Sequence, residues 1–272
     1  MSERETFPHG VPCWVDVPAP DPDAARNFYG AVLGWEFDGP GEMPGDPSGE
    51  YWVARLRGRD VAGVSSMPAQ GLPGWNTYVR VDSADAAAVA VREAGGEVTV
   101  EPFDVPPAGR LAVVADPGGA TFCVWEAGVR EGAKLVNEPS AWSMSALHTA
   151  DPETVMPFYR AAFGWEAEAF GPPEAGFWIW RLPGFVGGEP EQPVPRDVVA
   201  TMARADEEAP SWRPDFWIAD VDRAAAAAAE HGGSAIEGPA DVPGIPFRSA
   251  VLEDGAGAVF SLSQLLVEGS GS

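Results

Sequence analysis

Basic residues are scarce in this chain. Lysine and arginine together number 17 against 41 aspartates and glutamates, leaving a formal charge of −24 at neutral pH. A nucleic-acid binder must neutralise phosphates, and a peripheral membrane protein must meet an anionic surface; neither fits this balance. The charge speaks to solubility more than to fold. Cysteine is scarcer still, with Cys13 and Cys123 alone. They form neither a disulfide framework nor a CxxC site, so a reducing, cytoplasmic setting is expected. The three histidines, His9, His148 and His231, stand far apart, and no two lie at metal-ligand spacing. No apolar run approaches the ~20 residues of a membrane span. The opening residues 1–6 lack the apolar core of a secretory signal, so none is expected there.

What the chain does have is 45% apolar residues, enough for packed cores. Its 28 prolines and 32 glycines imply many short elements joined by tight turns. One stretch organises the rest. Asp21-Pro22 begins it, Phe28-Tyr29 follows, and Gly34-Trp35 ends it. It returns as Asp151-Pro152, Phe158-Tyr159 and Gly164-Trp165, each residue shifted by 130. Asp21 is a helix N-cap by type, with Pro22 at the first helical position. Ala24, Ala25, Phe28, Val32 and Leu33 keep helical spacing, and Gly34 stops the helix.

Further landmarks register the two halves. Pro102–Pro106 matches Pro239–Pro243, Arg110 matches Arg248, and Asp116-Pro117-Gly118-Gly119-Ala120 matches Asp254-Gly255-Ala256-Gly257-Ala258. The offset has grown to 138 by Arg248, so about eight residues were added after Trp165. The Pro/Gly/Glu-rich segment 183–195 is the place for them, since loops tolerate insertion. Cys13–Val17 reads as a strand, 39–49 as a loop, and Glu50–Leu56 with Val61–Met67 as a hairpin about Gly58-Arg59-Asp60. Residues 68–74 are a linker, and 269–272 a flexible tail. The pattern resolves into four β-α-β-β-β modules, with domains expected over 11–127 and 141–267 and a linker at 128–140.

Four such modules with these signatures resemble the vicinal oxygen chelate superfamily, the glyoxalase, bleomycin-resistance and dioxygenase proteins. The matching features are the Asp-Pro…Phe-Tyr…Gly-Trp helix, the strand 75–82, the Gly-Gly after the second helix and the Asp-Pro-x-Gly-Ala turn. The resemblance implies an α+β fold of two tandem glyoxalase-like domains. Each would be a pair of modules whose sheets curl into a cup. The chain would be a monomer with an internal pseudo-dimer, or a homodimer.

Metal enzymes of the superfamily place His, Glu or Gln at four inward strand positions. The corresponding positions here hold Trp14, Trp75 or Asn76, and Cys123 in the first half. In the second they hold Met144, Arg213 and Ser261. A divalent ion wants several deprotonated N or O donors, so no metal and no cofactor is expected.

Asp16 shares a strand face with Trp14 and is the first catalytic candidate, since a carboxylate in an apolar cup can act as acid or base. Its counterpart in the second half is Ala146. A structural role, capping backbone or pairing with Arg55, Arg80 or Arg110, is the alternative. His148, the counterpart of Pro18, is the second catalytic candidate. Arg110 and Arg248 recur, and either clamp an anionic ligand or form framework ion pairs with Asp104 and Asp241. Trp14, Trp52, Trp75 and Trp125 fall on strands of the first cup and Trp178 on one of the second. With Asn76 and Cys123 they are candidates for ligand contact, plain core packing being the other explanation. The expected function is binding of a small aromatic or apolar metabolite, or its acid–base isomerisation, cyclisation or ring opening, in secondary metabolism or self-resistance. A divalent-metal lyase or dioxygenase and a non-catalytic interaction protein are the alternatives.

Overall fold

A computed structural model describes residues 3–43, 46–67, 74–187 and 196–266. Most of the 68–74 linker, the 188–195 part of the long loop and the 269–272 tail lie outside the described residues.

The first module is β1 (Pro12–Ala19), α1 (Pro22–Leu33), β2 (Glu36–Met43), β3 (Asp46–Leu56) and β4 (Arg59–Ser66). The second is β5 (Asn76–Arg80), α2 (Ala84–Glu93), β6 (Glu97–Val105), β7 (Gly109–Ala115) and β8 (Thr121–Ala127). The third is β9 (Trp142–Thr149), α3 (Pro152–Phe163), β10 (Glu166–Ala169), β11 (Phe177–Arg181) and β12 (Val198–Arg204). The fourth is β13 (Ser211–Trp217), α4 (Val221–Glu230), β14 (Ser234–Asp241), β15 (Phe247–Glu253) and β16 (Val259–Leu265). Two eight-stranded sheets result, ordered β2-β3-β4-β1-β5-β8-β7-β6 and β10-β11-β12-β9-β13-β16-β15-β14.

Local chemistry sets the helix ends. Asp21 accepts the Ala24 amide at 3.0 Å, and Asp151 accepts that of Thr154 at 3.1 Å, each meeting one orphan donor of a first turn. Gly34 and Gly164 close α1 and α3 in the left-handed region, φ 72° and 73°, which side chains disfavour. Where the sequence reads as a loop at 39–49, β2 continues through Met43 and β3 begins at Asp46. A register break between Asp38 and Gly41 absorbs the glycine and proline without ending the pairing. Gly39 is needed at that break. It has φ 142°, and a Cβ there would meet the Tyr51 carbonyl oxygen at 2.8 Å.

By residue contacts the described chain divides into two compact units. Unit 1 comprises Met1–Val15, Asn76–Lys134 and Met144–Arg213; unit 2 comprises Asp16–Trp75, Leu135–Ser143 and Pro214–Ser272. Unit 1 thus holds the second module and most of the third, with the first residues of β1 and β13; unit 2 holds the rest of the first and fourth modules, with Trp142 and Ser143 of β9.

The core of unit 2 is aromatic. Tyr29 of α1 stacks on Trp35 at 5.8 Å between ring centroids and meets Trp75 edge-on at 5.2 Å. Phe216 of β13 packs against Trp35 and Trp75, and Phe260 of β16 against Tyr29. The core of unit 1 repeats the scheme. Tyr159 of α3 stacks on Trp165 at 5.3 Å and is flanked by Phe122, Trp180 and Trp212. Burying a Phe-sized side chain contributes about 1.5–3 kcal/mol, so each cluster is a substantial part of its unit's cohesion.

Candidate functional site

Side chains alternate across a strand, so β1 presents Trp14 and Asp16 on one face and Cys13, Val15 and Val17 on the other. Asp16 is only 3% exposed. A buried carboxylate requires hydrogen-bond donors. β1 runs parallel to β4 with Asp16 opposite Gly63, and β3 pairs β4 with Val53 opposite Gly63. Two residues along β3, Tyr51 crosses above Gly63 and its hydroxyl donates to Asp16 Oδ2 at 3.1 Å. Gly63 makes the crossing possible. A Cβ there would lie 2.0 Å from the Tyr51 hydroxyl oxygen and 2.9 Å from Asp16 Cβ. The result, all within unit 2, is a buried carboxylate touching a part-buried phenol. Such a pair can exchange a proton with a ligand at either oxygen.

Tyr51 escaped the sequence reading because nothing local marks it. The signal is the register that carries β3 past β4 to β1, and that follows only from strand pairing. Three arginines have carboxylates of their own. Arg55 pairs with Asp38 and Asp60, Arg80 approaches Asp82 and Glu131, and Arg110 is held by Asp85 and Asp104.

The other candidates are distributed between the units. In unit 1, the Arg130 guanidinium lies 5.7 Å from the Trp14 ring centroid, and Trp125 donates its indole N–H to the Arg130 carbonyl at 2.9 Å. Cys123 is buried on β8, and Asn76 is part-buried at the start of β5. The Cys13 thiol is pushed far above its ordinary range by burial, which keeps it protonated and unreactive. Three tryptophans sit on the helix side or in cores. Trp52 is buried in unit 2 with Arg26 of α1 4.8 Å above its ring. Trp75 belongs to the Tyr29 cluster. Trp178 shares a strand face with Trp180, which packs on Tyr159.

Arg110 forks onto Asp85 at 3.0 and 3.1 Å and reaches Asp104 at 2.7 Å. Arg248 does the same with Asp222, at 2.8 and 2.9 Å, and with Asp241 at 2.8 Å. The recurrence is that of a framework ion pair tying helix to strand. Arg110 also borders a cleft of about 370 Å³ with Asp104, Pro106, Glu126 and Gly128.

His148 lies in unit 1 near Arg213 and Glu208, its side chain 14% exposed. Burial, and then the neighbouring guanidinium, lower its pKa to about 4, so the ring is neutral at pH 7. One more carboxyl was not singled out from the sequence. Asp215 in unit 2 accepts the hydroxyls of Ser143 at 2.6 Å and Ser263 at 2.7 Å. The residue as a whole is only part-buried, but its carboxyl is enclosed, and desolvation raises its pKa to about 6 despite both hydroxyls.

A divalent ion needs several hard donors converging on one point. Among the described residues no three His, Cys, Asp or Glu side chains gather closely enough to grip an ion. At the strand positions that correspond to the superfamily's metal ligands, Trp14 and Met144 supply no hard donor, and Arg213 is cationic. These residues do not fit a divalent ion.

Two curled eight-stranded sheets built from four β-α-β-β-β modules define a tandem glyoxalase-like protein. The family model of the glyoxalase-like domain matches twice, over residues 14–125 and 144–263, and the chain belongs to that family. Among curated relatives, "Putative glyoxylase CFP32" of Mycobacterium tuberculosis is 36% identical over 269 residues, covering 96% of this chain and 97% of the relative. "Anthracycline biosynthesis protein DauV" of Streptomyces sp. (strain C5) is 32% identical over 275 residues, covering 95% of this chain and 94% of the relative. Among solved structures, the Mn(II)-bound glyoxalase from Novosphingobium aromaticivorans superposes with a TM-score of 0.66 at 18% identity, over 95% of this chain and 83% of that one. That likeness is one of fold.

Proposed function

We propose that this protein binds a small aromatic or apolar metabolite and transforms it by metal-independent acid–base chemistry. The observation that carries the reading is the buried Asp16–Tyr51 pair, held together over the bare backbone of Gly63. Asp16 accepts a proton from an acidic C–H or O–H of the ligand. The Tyr51 phenol donates its one O–H to the carboxylate and orients it; once Asp16 carries the proton and can donate in turn, that O–H is free to turn to a ligand oxygen and stabilise negative charge there. Return of the proton at a second position completes an isomerisation, or a cyclisation or ring opening of the same atom count. No oxidant or reductant is needed.

A relative named for anthracycline biosynthesis supports placing the ligand in secondary metabolism. The domains are assigned as 11–127 and 141–267, joined by 128–140. The chain is assigned to the cytoplasm, with no nucleic-acid or membrane partner. No helix among the described residues is long and apolar enough to cross a membrane.

The test is a titration of the purified protein with hydroxylated anthraquinones, followed by tryptophan fluorescence and product analysis. Asp16→Asn and Tyr51→Phe are each expected to lower turnover by about 10²–10⁴-fold with quenching retained. Turnover that required a stoichiometric divalent ion, or that survived both substitutions, would overturn the reading.

A further inference from the structure

The strongest feature outside the Asp16 pair is a buried guanidinium. Arg213 stands on β13 in unit 1, its side chain 11% exposed. A guanidinium carries several N–H donors and no acceptor, and burying it is unfavourable unless those donors are met. Its Nη2 donates to Glu208 Oε2 at 2.7 Å. Its Nε is buried and, among the described residues, hydrogen-bonds nothing.

Glu208 is a poor permanent counter-ion. It sits in the short connection 205–210 between β12 and β13, and its side chain is 51% exposed. An ion pair with one solvent-facing, rotatable partner is weak and exchangeable. His148 Nδ1 stands 3.9 Å from the same Glu208 oxygen, too far for a hydrogen bond. Its ring is neutral at pH 7 and so offers one N–H and one lone pair.

The other half of the chain has no counterpart of this group. In the registration of the halves, Arg213 corresponds to Asn76 and His148 to Pro18. Arg110 and Arg248, by contrast, recur with equivalent carboxylates. A cation present in one half alone, with a buried donor unmet and an exposed carboxylate across its outer nitrogen, has the form of a binding site.

We propose that Arg213 and His148 form a subsite for an anionic oxygen of a small organic ligand, a carboxylate, phenolate or enolate, and that Glu208 covers it until the ligand displaces it. The ligand oxygen takes the Arg213 donors, and the His148 N–H adds a second contact. The subsite lies wholly in unit 1, and its standing is independent of the Asp16–Tyr51 pair in unit 2.

The test uses the full chain and 1-hydroxy-2-naphthoate, with its uncharged carboxamide as control, by calorimetry at physiological ionic strength and pH 7. The carboxylate binds more tightly than the carboxamide. Glu208→Gln removes the internal competitor and tightens carboxylate binding roughly threefold to tenfold. Arg213→Met weakens it tenfold or more, on the order expected for a charge-assisted bond. Arg204→Gln deletes an equal charge from an exposed pair with Glu153 and leaves binding unchanged.

Histidine NMR supplies a readout that does not depend on folding of the Arg213 variant. Of the three histidines, His148 alone shifts on binding. Equal binding of carboxylate and carboxamide overturns the proposal. So does an affinity that Glu208→Gln fails to raise, an unmoved His148 signal, or no binding to either wild type or Glu208→Gln.

Discussion

The hydroxyl of Tyr29 donates to Asp254 Oδ2 at 2.9 Å, across 225 residues of sequence. Asp254 spends its other oxygen on the amides of Ala256 and Ala258, each at 2.9 Å, within its own turn. Unit 1 repeats the device, Tyr159 donating to Asp116 at 2.9 Å while Asp116 Oδ1 caps Gly118 and Ala120. Within each unit a helix from one module is thereby bonded to a hairpin turn from another. Burial, and then the adjacent carboxylate, raise both phenols well above their ordinary range, so they remain donors at any working pH.

Removing either hydroxyl leaves a buried carboxylate oxygen without its donor. Tyr29→Phe and Tyr159→Phe are each expected to lower stability by about 1–3 kcal/mol in urea unfolding. Combining Tyr29→Phe with Asp254→Asn should cost less than the two singles added, because both break one bond. Strict additivity in that cycle would deny the contact.

Gly63 is the position where the smallest change should do the most to the candidate site. An alanine methyl there would lie 2.0 Å from the Tyr51 hydroxyl oxygen. Tyr51 must swing away from Asp16, or β4 must move. Gly63→Ala is expected to destabilise by about 1–3 kcal/mol through overpacking and to abolish turnover more completely than Tyr51→Phe, which removes the hydroxyl alone. Full activity in Gly63→Ala would separate Tyr51 from the chemistry.

Asp215 predicts a pH dependence of stability. Its folded pKa of about 6 lies above the ordinary aspartate value of 3.8. Between those values the folded state holds a proton that the unfolded state has released, so stability falls as pH rises from about 4 to about 6. A shift of this size corresponds to about 3 kcal/mol. Asp215→Asn should remove that slope and raise stability at pH 7 relative to wild type, as followed by thermal unfolding across pH. A slope unchanged by the substitution would place the ionisation elsewhere.

His148 works in the opposite sense. Its folded pKa of about 4 lies below the ordinary 6.5. Below pH 6.5 the unfolded chain takes up a proton that the folded ring refuses, so this group lowers stability as pH falls from 6.5 toward 4. Histidine NMR should show His148 titrating near 4, and Arg213→Met should raise that value by removing a neighbouring positive charge. Titration of His148 at 6.5 would mean that the ring is neither buried nor beside the guanidinium.

Sequence alone determined what depends on neighbours in the chain. Helix caps at Asp21 and Asp151, left-handed glycines at 34 and 164, and the Asp-x-x-Gly turns are local, since each joins groups a few residues apart. Their repetition sufficed to place four modules and name the family. Tertiary structure decided what depends on pairing and packing. The Tyr29 side chain reads as a structural helix residue, but nothing local says that its partner is Asp254. Trp52 and Tyr51 are adjacent in sequence, yet one lies beneath Arg26 and the other reaches Asp16. The strand's period of two sends neighbours to opposite faces, and which face meets the helix depends on the register against β4 and β1. Arg213 makes the same point. Its position on a strand is legible, while its unmet buried donor and its exposed partner Glu208 are properties of the folded surface.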